Sequence, residues 1–195
     1  MTTPYTVPNL LTFTRIGLIP VIVVLFYLPY AWSDIAAGVL FAIAGITDSL
    51  DGYIARRMGQ VSPLGEFLDP VADKLVVATA LVLIVSHHPV WYVTLTAAVI
   101  IGREITISAL REWMAEIGSR KKVAVSALGK IKTIAQIVGL TMMLLNEPLF
   151  GLPVYGIGLG LTIAAAILTL WSMAVYLQAA WPELSRKAHS DRLAP

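Results

Sequence analysis

Four aspartates carry the most telling chemistry in this sequence. They fall in two pairs, Asp48-Ser49-Leu50-Asp51 and Asp69-Pro70-Val71-Ala72-Asp73. Residues three or four apart on a helix share a face, so each pair presents two carboxylates to one side. Two antiparallel helices joined by a short connection would point all four at one small volume. Asp69 followed by Pro70 reads as an N-cap with proline at the first helical position. Four carboxylates gathered at a membrane boundary repel one another and resist desolvation. Arg56, Arg57 and Lys74 offset part of that charge but give no reason for the convergence. Divalent cations give one. Oxygen ligands of this kind suit magnesium or manganese, and a two-metal clamp stabilises the attacking and leaving oxygens of phosphoryl displacement. The plainer reading, solvated interfacial acids paired with Arg and Lys, accounts for one such residue better than for four.

The elements that must position these acids are membrane helices. The chain has 195 residues, 57% of them hydrophobic and 13% charged, with a mean hydropathy of +0.79. Soluble domains carry about 25% charged residues; the deficit points to the bilayer. The length suits a single domain. With no cysteine, disulfides, thiol catalysis and cysteine-bound zinc are excluded. A net charge of +2 gives no case for nucleic acid as a partner. The first eight residues hold no Lys or Arg, and the apolar run after them is too long for a signal-peptide core.

A bilayer crossing takes about 20 mostly apolar residues, and six segments qualify: 9–28, 33–55, 70–85, 89–107 with a polar extension through 116, 130–145 and 154–178. The third and fifth look short. The fold class expected is all-α and integral to the membrane, with 182–195 as a cytosolic tail. Given six helices, all 14 Lys and Arg fall at the start of helix 1, around the 2–3 and 4–5 connections, or in the tail. The other three connections hold none, so both termini and the basic loops are expected in the cytosol.

The run Asp-x2-Asp-Gly-x2-Ala-Arg-x8-Gly-x3-Asp-x3-Asp, fixed at Asp48, Asp51, Gly52, Ala55, Arg56, Gly65, Asp69 and Asp73, resembles the signature of the CDP-alcohol phosphotransferase family. The resemblance implies a cytosol-facing site in which a CDP-linked lipid loses CMP to an alcohol, two bound divalent metals (magnesium or manganese), and a homodimer in a bacterial inner membrane. It makes Asp48, Asp51 and Asp69 ligands of one metal and Asp48, Asp69 and Asp73 ligands of the second, with Asp73 as the base. Gly52, Ala55, Arg56 and Gly65 would shape the CDP pocket. Glycines let a nucleotide lie close to backbone, and an arginine reaches phosphate oxygens.

From Asn9 to about Gln178 the chain resembles the branch of this family that uses CDP-diacylglycerol as donor and sn-glycerol 3-phosphate as acceptor. The stretches carrying this are Asn9 to Arg15, Arg103 to Trp113 and Gly129 to Gln136. An acceptor with its own phosphate needs fixed cations, and Arg103, Lys130 and Lys132 are the candidates. Lys130 and Thr133 share one face, Lys132 and Gln136 another. The alternative for such basic residues is snorkelling to anionic head groups or, for Arg103, local pairing with Glu104; Arg120, Lys121 and Lys122 are read that way. Asn9, Thr12 and Arg15 form a stripe at the start of helix 1, read as part of the nucleotide or phosphate wall.

Other features invite less. His87 and His88 read as interfacial residues on the far side of the membrane. Gly156, Gly158 and Gly160 read as small residues for helix packing, as do Gly38, Gly45 and Gly52 at seven-residue spacing. Trp32, Trp91, Trp171 and Trp181 lie near expected boundaries, where aromatic belts form. Two further readings remain: the same chemistry with phosphatidylglycerol, serine or an inositol phosphate as acceptor, and a divalent-metal transporter. The latter fits less well, because the acids cluster at one membrane edge and not at the midplane.

Overall fold

The described residues are built from α-helices and short connections. A computed structural model describes residues 7–30, 32–58, 63–116, 127–146, 148 and 151–190; side chains at 7, 8, 49–58, 63, 66, 116, 127–130, 179, 180 and 182–190 are outside that description. Six helices follow in order: α1 Val7–Tyr27, α2 Ser33–Met58, α3 Pro63–His87, α4 Trp91–Glu116, α5 Ala127–Leu145 and α6 Val154–Ser190. A helix satisfies its own backbone N–H and C=O groups, which hydrocarbon cannot do for it. By length and apolar composition, the stretches Asn9–Tyr27, Trp91–Ala115 and Val154–Gln178 can each cross a membrane. The helices α2 and α3 carry their acids within the helix.

Two helix boundaries depart from expectation for physical reasons. The third helix begins at Pro63, so Pro70 is an interior residue and Asp69 is no N-cap. An Asp-Pro pair favours a helix start without compelling it, since membrane helices tolerate interior proline. The helices α3, with 25 residues, and α5, with 19, extend beyond their apolar parts, and the apolar stretch of α5, Ile131–Leu145, is short as expected. The sixth helix runs to Ser190, past the end of its apolar stretch. Loss of hydropathy marks where a helix leaves hydrocarbon, and the backbone has no reason to unwind there.

The pairs α5–α6 and α1–α2 pack most extensively, whereas α2 and α3 meet only sparsely and are joined through α1. Alanines at the contacts (Ala37, Ala44, Ala72, Ala80 and Ala165, all nearly inaccessible) let backbones approach closely around Phe41, Ile84, Ile100, Leu140 and Leu144. Large apolar side chains such as Leu10, Ile46, Val82, Ile105 and Ile167 face outward, as lipid contact requires. Trp32, Trp91, Trp171 and Trp181 are exposed, in keeping with interfacial belts.

One end of the bundle is closed by polar contacts. Asn146, with φ 56° just past α5, adopts the left-handed conformation that Asn tolerates at a helix end. Its side-chain oxygen lies 3.1 Å from His88 Nε2, and its amide donates to Asp34 Oδ2 at 3.4 Å. Asp34 sits in the first turn of α2, where the helix dipole favours a negative charge. The His88 ring also lies 4.3 Å from that of Tyr155, and Tyr27 Oη is 3.2 Å from Ser86 Oγ. His88 is therefore built into a clasp between α2, α3 and α5 and is more than an interfacial residue.

The glycines sort by what a side chain would meet. A Cβ at Gly38 would approach Leu145 at 3.0 Å and one at Gly45 would approach Ile137 at 2.9 Å, so both set the α2–α5 contact. Gly52 lies among the undescribed side chains. In α6 a Cβ at Gly158 would fall 2.7 Å from the Gly139 carbonyl, while Gly156 and Gly160 face open space. Only the middle residue of that triplet is a packing glycine. Gly158→Ala is expected to destabilise the protein by about 1–3 kcal/mol through overpacking, and Gly156→Ala to leave it unchanged or slightly raised; thermal unfolding in detergent distinguishes the two.

Candidate active site

The first helix gathers the acids. Arg15 stands in the apolar α1 and is only 1% exposed. Burying a guanidinium is costly unless it is paired, and its partners come from two other helices. Arg15 Nη1 donates to Asp48 Oδ1 of α2 at 3.0 Å and also to Asp73 Oδ1 of α3. One turn earlier, the fully buried Thr12 hydroxyl donates to Asp69 Oδ1 at 2.5 Å. Asn9, one further turn along the same stripe, is 1% exposed. The spacing that placed Asn9, Thr12 and Arg15 on one face is thus borne out, and that face lies against the carboxylates.

Three of the four aspartates therefore surround one stripe of α1. Position 51 lies on α2, one turn beyond Asp48, but its side chain is outside the described residues, as are those of Ala55 and Arg56 and the surroundings of Gly52. Gly65 is buried. Among the described residues no group of three His, Asp or Glu forms a ready-made metal cage: the guanidinium stands between Asp48 and Asp73, and Thr12 bonds Asp69. The donor set nevertheless fits a divalent ion. All its atoms are carboxylate oxygens, and the Oδ1 atoms of Asp48 and Asp73 are close enough for a single cationic nitrogen to touch both. Oxygen donors so placed suit magnesium or manganese.

A second centre of opposite sign lies on α4 and α5. Lys132 and Gln136, one turn apart on α5, are each 7% exposed. Around Lys132 stand Arg103, Glu104 and Arg111 of α4. Arg103 Nη1 pairs with its neighbour Glu104, while Arg103 Nε and Lys132 Nζ are buried without a hydrogen-bond partner among the described residues. Arg111 Nε reaches Tyr176 Oη at 3.3 Å, tying α4 to α6. The side chain of Lys130 is outside the described residues, as are Arg120, Lys121 and Lys122. Sequence spacing left Lys130 and Lys132 on different faces; packing puts Lys132 inside, where a cation calls for an anion.

The two centres stand at one height in the bundle. At about 1.5 Å per residue, roughly 20 Å of helix separates Asp34 from Asp48, His88 from Asp73 and Asn146 from Lys132. Asp34, His88 and Asn146 are joined in the clasp, so the acidic and basic groups both lie toward the opposite end. Arg103 lies about 18 Å along α4 from Trp91, which follows the clasp directly.

Residues 5–177 match the profile of the CDP-alcohol phosphatidyltransferase family. The chain is also similar to three bacterial proteins, each named CDP-diacylglycerol–glycerol-3-phosphate 3-phosphatidyltransferase. They come from Salmonella choleraesuis (strain SC-B67), Shigella flexneri and Escherichia coli (strain K12). Each is 52% identical over 180 residues, covering 92% of this chain and 97% of the relative.

An unpartnered buried ammonium weakens the fold that contains it. Lys132→Met keeps the volume and removes the charge, and is expected to stabilise the protein by about 1–3 kcal/mol, read as a higher unfolding temperature in detergent. No gain would mean that Lys132 is already satisfied.

Proposed function

The chain belongs to the CDP-alcohol phosphatidyltransferase family, and on that premise we propose that it transfers the phosphatidyl group of CDP-diacylglycerol to sn-glycerol 3-phosphate, releasing CMP. The observation that carries this reading is the pairing, at one end of one bundle, of a carboxylate centre on α1–α3 with a buried basic centre on α4–α5. The first suits a metal-bound diphosphate. The second suits an acceptor that brings its own phosphate, which favours glycerol 3-phosphate over serine. The identity with the named bacterial enzymes supports the same donor and acceptor.

In this mechanism the acceptor's primary hydroxyl attacks the lipid-side phosphorus in line with the departing CMP oxygen. A new P–O bond forms as the P–O bond to CMP breaks, and Asp73 takes the hydroxyl proton. Two divalent ions held by Asp48, Asp51, Asp69 and Asp73 supply, when bound, neutralisation of the diphosphate and of the leaving phosphate. Gly52, Ala55, Arg56 and Gly65 bound the CDP pocket together with Asn9, and Thr12 fixes Asp69 from α1. Arg103, Lys130 and Lys132 hold the acceptor phosphate. Lys132 has the clearest case, because its buried ammonium has no hydrogen-bond partner among the described residues.

The wider setting follows the same reading. The single domain spans residues 1–195, with six membrane-crossing helices, both termini and the active site on the cytosolic face of the bacterial inner membrane, and a homodimer as the working unit. The distribution of Lys and Arg supports the orientation.

Purified protein given CDP-diacylglycerol and labelled glycerol 3-phosphate is expected to make labelled lipid and equimolar CMP with magnesium, and none with chelator. CMP release only with another alcohol would keep the chemistry and replace the acceptor; no CMP release at all would favour metal transport. Asp73→Asn is expected to abolish turnover while CDP-diacylglycerol still binds. Lys132→Ala removes a hydrogen bond to a charged group worth about 1.5–3 kcal/mol, so the acceptor KM should rise about 10- to 100-fold with donor binding unchanged.

A further inference from the structure

We propose that Arg15 is an interim counter-ion of the metal centre: it neutralises Asp48 and Asp73 in the metal-free chain and yields them when divalent ions bind. The proposal rests on the metal reading above. Arg15 is buried in an apolar helix, and one of its nitrogens touches a carboxylate oxygen on each of two other helices. Its positive charge thus occupies the place between Asp48 and Asp73 where a cation is needed, and it keeps α2 and α3 from separating under their own repulsion. A divalent ion drawn to those carboxylates meets the same cation at close range, and like charges that near each other repel strongly in a poorly screened site. Both cannot keep full hold of Asp48 and Asp73. Arginine suits the exchange because its charge is permanent and its side chain long. Thr12 is different: its neutral hydroxyl can stay on Asp69 in either state.

Arg15 is therefore a positioning residue whose removal has opposite effects on two readouts. A purely structural ion pair would lower stability equally with and without metal. An interim counter-ion lowers it only without metal, and its loss tightens metal binding. The test uses the full chain in detergent without substrate, measuring manganese binding by paramagnetic resonance of free ion and thermal unfolding in EDTA and in saturating manganese. Arg15→Gln is expected to lower the manganese Kd at least tenfold and to lower the unfolding temperature in EDTA, with most of that loss regained in manganese. Unchanged or weaker binding, or an equal stability loss in both conditions, would overturn the proposal. Arg15→Met also removes the charge and keeps an unbranched side chain suited to an apolar helix, and it serves if Arg15→Gln does not fold. It must also bind manganese more tightly than wild type, and equal or weaker binding sinks the idea. A wild-type chain that binds no manganese would instead remove the metal reading itself, leaving Arg15 as a fixed structural ion pair.

Discussion

A guanidinium buried in an apolar helix constrains everything around it. Arg15 cannot be paired from within α1, because among the described residues its carboxylate partners lie on α2 and α3. Those helices must both lie against α1, and they do so extensively while scarcely touching each other. The near-inaccessible alanines on α2 and α3 are the kind of residue that lets helices approach closely. The acidic centre is thus assembled through α1, whose buried guanidinium is shared between carboxylates that remain partly open to their surroundings.

The second constraint acts at the other end of the bundle. Asp34, Asn146 and His88 join three helices at a common level, and helices of similar length then deliver their functional residues to a common level about 20 Å away. The two centres are kept on different helices there. The carboxylates stand on α2 and α3, and the basic groups on α4 and α5. A site that handles two phosphate-bearing substrates benefits from that division, because a diphosphate held through divalent ions calls for acidic residues and a bare phosphate for basic ones.

Much of this was legible in the sequence, and the remainder depends on contacts between distant residues. The pairing of Asp48 with Asp51, and of Asp69 with Asp73, is local helical geometry, as is the shared face of Asn9, Thr12 and Arg15. What that face meets is not local: Thr12 and Asp69 are 57 residues apart, and spacing within one helix says nothing of its neighbour. The Asp69-Pro70 pair misled because the same dipeptide serves at a helix start and inside a membrane helix. Apolar runs located the helices but could not mark where α6 ends, since the end of hydropathy and the end of a helix are separate events. Spacing put Lys130 and Lys132 on different faces but could not say that the face of Lys132 is buried. The clasp was invisible for the same reason, as its partners lie 58 and 112 residues apart.

The position of that clasp has a mechanical meaning. Helices pinned by hydrogen bonds at one end and linked by charge at the other are free to fan apart only at the charged end. A small tilt about the pin would displace the helices most at the level of the carboxylates, so the clasp holds the bundle where the site does not lie and leaves the charges to hold it where the site does.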